Sequence, residues 1–292
     1  MLMAAMALLA GAQPAPIPAP EPQDQDIVVT GQGPVTVQEA RRHVNAITAT
    51  QDGQLTRFHS PICPTAIGMG PRETAVVTAR IREVAAAAGV RTQAPGCQPN
   101  MALVITPDGR RFVQGLRRAR PQIFSRLEPR EVRQLLHGEG PVRAWSQTEI
   151  FNEDGVAPSG TPGSGGRMMR VYSASIILES TQYATLQSVV VVDDSAADGK
   201  SLGQLADYAV MRTLAGARPP RGSDTSSATI LALFDEGAQA PEALTTLDSA
   251  YLAALYRSNP RQRSMQQMSQ MSRLIAQDTA RAEQEVEAQA PR

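Results

Sequence analysis

Catalysis or metal binding in this chain would have to come from three histidines, two cysteines and one acidic cluster, and their spacing decides what each can do. His43, His59 and His137 all lie in the first half, and no two stand four residues apart as a helical metal pair would. A ligand or a general base needs a partner within reach, and none is evident, so each reads as a packing or surface residue. Cys63 and Cys97 form neither a C-x-x-C unit nor a cysteine–histidine cluster, which argues against thiolate-bound zinc. Asp193, Asp194 and Asp198 stand before Gly199, and calcium favours such oxygens. The alternate spacing and bidentate glutamate of a calcium loop are missing, however, so helix capping and turn chemistry account for these aspartates. G-x-S-x-G, Walker A and G-x-G-x-x-G patterns are absent, and Ser164-Gly165-Gly166 lies in a loop without the strand and helix of a phosphate cradle. No catalytic residue, metal site or cofactor is therefore expected.

The elements that would position these groups follow from periodicity. Thr36 and Glu39 form a capping box for a short helix from Val37 to Ile47. Gln54 to His59 reads as a first strand. Pro71 after Gly70 opens a helix in which Val77, Ile81, Val84, Ala85 and Ala88 recur at helical spacing until Gly89. Met101 to Thr106 is a buried strand ending in a Pro-Asp-Gly turn. Between Arg110 and Arg143 nine arginines stand against Glu128, Glu131 and Glu139, over two helices, the second opening at Glu128-Pro129 and closing at His137-Gly138. Strands are expected at Val142 to Ile150, with Trp145 half buried, at Arg170 to Leu178, and at Leu186 to Val192, with an exposed loop from Asn152 to Arg167. The apolar run Val189 to Val192 marks a central strand. Helices follow at Ser201 to Leu214, at Thr245 to Tyr256, and from about Gln262 to the end. In the last, Met265, Met268, Met271, Leu274 and Ile275 share a face, and the final acidic dozen residues fray.

Composition sets the compartment. Leu2 to Leu9 is apolar and Ala10-Gly11-Ala12 has the small residues that signal peptidase accepts, although no Lys or Arg precedes the apolar run. The run is too short for a spanning helix, which needs roughly 20 residues. A signal peptide over 1–12 is expected, then a Pro/Ala/Gln-rich linker over 13–35 that can form no packed core. Export to the periplasm or beyond favours a Cys63–Cys97 disulfide over two buried thiols. Apolar content of 42% supports a real core. A formal net charge of +0 gives no global pull toward nucleic acid, and Phe112 and Phe124 are too few to stack bases. Lys200 is the only lysine, and the arginine-rich stretch, with Arg117, Arg118 and Arg120 at its densest, reads either as a solvated face or as a docking surface for lipopolysaccharide, an acidic glycan or nucleic acid.

The order of elements, with Leu244-Thr245-Thr246-Leu247-Asp248 and Leu255-Tyr256 in the closing helix, resembles the zincin metalloproteases, above all the metzincin-like ones, and zincin-like exported bacterial proteins of unknown function. The resemblance covers roughly residues 54 to 257. It implies that the helix after the last strand would carry H-E-x-x-H; at those positions this chain has Asp207 for the first ligand, Tyr208 for the general base and Met211 for the second ligand. Ile230 or Leu231 stands where the methionine of the turn would be. One carboxylate and one thioether do not replace two imidazoles, so the resemblance implies a fold without its zinc chemistry.

The expected protein is an α+β domain over 36–257, a mixed β-sheet with packed helices in a zincin-like topology, followed by a C-terminal amphipathic helix over 258–292. Its expected role is non-catalytic: binding, or structure, in the cell envelope, with an envelope protein or acidic glycan as partner and no transmembrane segment in the mature chain. The alternatives are an enzyme with an unrecognised site near Asp207 and a polyanion binder acting through Arg110 to Arg143. Mass spectrometry of protein from the native host should find an N-terminus near Gln13; an intact Met1 would remove the export expectation.

Overall fold

The computed structural model describes residues 34–160, 167–172, 175–220 and 229–289, all within the unit Gly33–Arg292. The signal segment, almost all of the linker and the Ser164–Gly166 glycines lie outside the described residues.

Helix α1 (Val37–Ile47) opens with the capping box: the Glu39 N–H donates to Thr36 Oγ1 at 3.2 Å and the Thr36 N–H donates to the Glu39 carboxylate at 2.8 Å. Strand β1 is only Arg57–Phe58. The longer strand expected from Gln54 is cut short because Gln51 and Gln54 exchange backbone hydrogen bonds across a tight turn, with Asp52 and Gly53 at positive φ. Strand β2 (Pro64–Ile67) has no counterpart in the sequence reading, since it begins on a proline that cannot donate to a ladder. It leaves the sheet at Gly68, where a Cβ would collide with the Ile105 carbonyl oxygen, so glycine is required. Helix α2 (Pro71–Ala87) follows, and closes when the Gly89 N–H bonds Ala86 O at 3.0 Å and the Val90 N–H bonds Ala85 O at 2.8 Å, the paired geometry of a glycine-terminated helix.

Strand β3 (Met101–Thr106) leads into α3 (Gly109–Ala119), a 3-10 turn at Pro121–Phe124, and α4 (Pro129–His137). Strands β4 (Val142–Asn152) and β5 (Thr181–Asp193) complete a mixed five-stranded sheet. The long β5 is its axis. One edge pairs antiparallel with β4, with a register shift between Gln147 and Thr148. The other pairs parallel with β1 at Ala184 and Thr185 and with β3 from Ser188 to Asp193, and β2 lies parallel outside β3. No strand forms among the described residues of Arg170 to Leu178. There the Ser175 hydroxyl accepts the Ile177 and Leu178 N–H groups at 3.2 and 3.1 Å, giving the backbone a side-chain partner in place of a ladder, and Ile176 and Ile177 are exposed.

After β5 come α5 (Asp194–Ala197), α6 (Leu202–Thr213), a 3-10 turn at Ile230–Phe234, α7 (Thr246–Arg257) and α8 (Ser264–Gln289). Alternation along the strands divides the interior. Leu103, Val190 and Val192 face the large core with α1, α2, α6, α7 and α8, whereas Val104 and Val191 face a smaller one with Val113, Phe124, Leu135 and Trp145 beneath α3 and α4. Trp145 is fully rather than half buried, stacked on Phe124 at 5.5 Å. Within α8, Met271 and Ile275 are buried while Met265 is exposed, so the buried face begins a turn later than the methionine spacing indicated. Among the described residues no helix is long and apolar enough to cross a membrane.

Cys63, just before β2, is joined to Cys97, just before β3, by a disulfide with Cα atoms 6.0 Å apart. The link holds the loop after α2 against the entrance to two parallel strands, where Asn100 accepts the Cys63 N–H at 2.7 Å through its side chain. Closing a loop with a sequence separation of 34 stabilises the fold by about 4 kcal/mol in the chain-entropy account. Denaturant unfolding of a Cys63→Ser/Cys97→Ser variant should show a loss of that order together with a somewhat larger m-value, because the unlinked denatured chain exposes more surface; an unchanged unfolding free energy would mean the bond contributes nothing.

Candidate functional site

The positions matched to the zincin motif sit on α6, an almost wholly buried helix. From Leu205 to Met211 every residue is buried, and Asp207 is 0% exposed. A charge there requires compensation, and α2 supplies it: Arg80 Nε donates to Asp207 Oδ1 at 2.8 Å and Arg80 Nη2 to Oδ2 at 3.1 Å. The backbone N–H of Leu244 also donates to Oδ2 at 2.8 Å. Its bond to Asp207 raises the Arg80 pKa above the ordinary arginine value. Asp207 thus ties α6 to α2 and to the segment that opens α7.

Tyr208 packs edge-on against Phe234 of the 3-10 turn, ring centroids 4.7 Å apart, and burial raises its hydroxyl pKa, which suits packing better than proton abstraction. Met211 lies in the large apolar core. Asp207 and Met211 are one turn apart on α6, as their spacing requires, and the Ile230–Phe234 turn packs on the same helix.

A second aspartate acts in parallel. Asp248, also 0% exposed, accepts the Thr229 hydroxyl at 2.6 Å, the Ile230 N–H at 2.8 Å and the Thr245 N–H at 3.2 Å, while its own N–H donates to Thr245 Oγ1 at 3.1 Å. The L-T-x-x-D pattern is therefore a capping box whose aspartate also holds the turn beneath α6. His43 of α1 lies beside it, Nε2 3.8 Å from Asp248 Oδ1 and without a hydrogen-bond partner, and desolvation lowers its pKa so that the ring stays neutral.

The donor set does not fit zinc. Both Asp207 oxygens are taken by the protein's own donors, and the Arg80 guanidinium would repel a dication there. Among the described residues no three His, Cys, Asp or Glu side chains converge on one point. The Asp193 cluster does not converge either: Asp193 accepts the Gly109 N–H at 2.7 Å and lies 3.8 Å from Arg143, and Asp194 and Asp198 are at the surface. A Cβ at residue 109 would come within 2.6 Å of that carboxylate, so α3 docks through a glycine.

The arginine-rich segment divides by burial. Arg143 is buried, and Arg126 together with Arg167 clamps the buried Glu149 of β4, each at 2.6 Å from Oε2. Burial pushes the Glu149 pKa up, but the bonds from Arg167 and Arg126 outweigh it and hold the carboxyl below its ordinary value. Arg117 lies over the Phe124 ring at 5.8 Å, and Arg118 and Arg120 are exposed. None of these three pairs with a carboxylate among the described residues.

Sequence reading missed Arg80, Glu149 and Arg167, yet Arg80 left a trace. It lies three residues after Val77 and four before Val84, on the buried stripe of α2, just as Asp207 is the one charge in an apolar run of α6. Two lone charges of opposite sign on buried helix faces are candidates for each other. No family model matches the chain, and no curated protein or solved structure is significantly similar to it.

Replacing Asp207 with Ala should destabilise the protein by about 3 kcal/mol, because Arg80 and the Leu244 amide lose their acceptor. Arg80→Met should cost about 4 kcal/mol, more because it leaves the Asp207 carboxylate, which has no exposed surface, without its countercharge. Urea unfolding of both single variants and the double variant gives the coupling; simple additivity would show that the pair is not a tether.

Proposed function

We propose that the chain is a non-catalytic, zincin-like α+β domain, a pseudoenzyme that acts by binding or as a structural component of the cell envelope, in the periplasm or secreted. The observation that carries this reading is Asp207. At the position of the first metal ligand stands a carboxylate with no exposed surface, held by Arg80 and the Leu244 amide. The order β2, α2, β3, a helical insertion, β4, β5, α6, a 3-10 turn and α7 supports the same reading. So does Asp248, which uses the most specific part of the matched pattern to fix the turn under α6. The Cys63–Cys97 disulfide agrees with an extracytoplasmic setting. An enzyme built around Asp207 and Tyr208 finds little support, since neither side chain reaches solvent.

One observation favours a more specific reading, attachment to an acidic glycan. Arg110, Arg111, Arg117, Arg118, Arg120, Arg130 and Arg133 lie on or beside α3 and α4 without a carboxylate partner among the described residues, so their charge is available to a polyanion.

Protein from the native host should contain no stoichiometric zinc and should melt at the same temperature with and without a chelator; tightly bound zinc would overturn the pseudoenzyme reading. On immobilised dextran sulfate the wild type should elute later in a salt gradient than the Arg117→Ser/Arg118→Ser/Arg120→Ser variant. Equal elution would leave those arginines a solvated face.

A further inference from the structure

A cleft of about 310 Å³ opens where β1 ends, far in sequence from the arginine-rich helices. Its walls include Arg57, His59, Val90, Arg91, Gln182 and Tyr256, and no carboxylate lines it. Arg57 is the unusual member. Its Nη1 caps the end of α7, donating to Leu255 O at 2.5 Å and Ser258 O at 3.0 Å, and the guanidinium lies over the Tyr256 ring at 5.8 Å. These contacts use one edge of the fork. Nε and Nη2 have no hydrogen-bond partner among the described residues and are not sealed from solvent, and Arg57 lines the cleft.

No carboxylate pairs with Arg57 among the described residues, although burial makes its charge costly enough to lower its pKa. Helix-end carbonyls carry only partial negative charge, about half a unit per helix, so they do not neutralise a guanidinium. Arg91, just past the end of α2, adds a second, exposed guanidinium whose one internal contact is a 3.4 Å bond to His59 O. His59 has a buried Nε2 without a partner. Two cations and no acid form a wall complementary to an anion.

We propose that this cleft binds a phosphate-bearing small molecule, whose phosphoryl oxygens bridge the Nε–Nη2 edge of Arg57 and the guanidinium of Arg91. Phosphate suits the site better than carboxylate for two reasons. A carboxylate has two oxygens, which a single arginine edge can occupy, whereas a tetrahedral phosphoryl group has oxygens left for a second fork in another plane. The double charge of a phosphate monoester also matches two arginines. The volume leaves space for an organic portion against Val90 and Tyr256. The proposal is independent of the ancestry of α6 and of the arginine face on α3 and α4.

Calorimetric titration of the full chain at low ionic strength tests it, with inorganic phosphate as probe and acetate as the carboxylate control. Phosphate should bind saturably at one site and acetate at least about tenfold more weakly. Arg91→Gln, at an exposed position where folding is not at stake, should weaken phosphate binding about tenfold. Arg57→Lys, which keeps a cation but loses the two-donor edge, should do the same, provided its circular-dichroism melt remains cooperative. Arg117→Ser/Arg118→Ser/Arg120→Ser should leave the affinity unchanged. Absence of saturable phosphate binding, equal binding of acetate, or an Arg91→Gln variant with wild-type affinity would each overturn the proposal, and none of them bears on zinc or on polyanion attachment.

Discussion

Helix α6 can lie wholly inside the protein because its one buried charge is neutralised there. Asp207 is inaccessible to solvent, and leaving it unpaired would cost several kcal/mol. Arg80 meets it with two donors from α2, and the Leu244 amide adds a third. The consequence is geometric. A two-pronged guanidinium fixes the azimuth of α6 against α2, and the amide fixes where the chain must return before α7 begins. Most of the large core is apolar and non-directional, so these bonds, with those of Asp248, select one packing among many.

The sheet divides the remaining work between two interiors. On one face α6 and its neighbours bury the larger core; on the other, α3 and α4 cover Trp145, Phe124 and Val191. Those two helices bury few of their own residues, which is why so many arginines can be written into them without disturbing the fold. Arg126 and Arg167 reach in from the surface to the buried Glu149, and the buried Arg143 approaches Asp193. Arg57 is compensated instead by the end of a helix and an aromatic face.

Asp207 and Asp248 play parallel roles around α6. Both hold the turn and loop segments around α6 in place through backbone amides: Asp248 binds the Ile230 amide under the helix, and Asp207 binds the Leu244 amide beyond it. A guanidinium and two amides thus supply the directional bonds that organise this region.

Local signals in the sequence were enough for most helices. The Thr36–Glu39 box, Pro71 after Gly70, the Gly89 stop, the Thr245–Asp248 box and the period of apolar residues each depend on neighbours within a turn, so they survive without tertiary information. The strand Met101–Thr106 and the central run Val189–Val192 were legible because burial on both faces leaves continuous apolar stretches. Only the tertiary structure decided the rest. Strand β2 is short and starts at a proline, Arg57–Phe58 became a strand only through pairing with β5, and Ile176 and Ile177 had strand-like chemistry until Ser175 captured their backbone. The functional groups obey the same division. Cys63 and Cys97, the two cysteines of the chain, could be paired once export was expected, but Arg80 with Asp207 spans 127 residues and Arg57 meets α7 across 198. A charge reveals by its type that it needs a partner; which partner it finds is settled where helices and strands distant in the chain pack together.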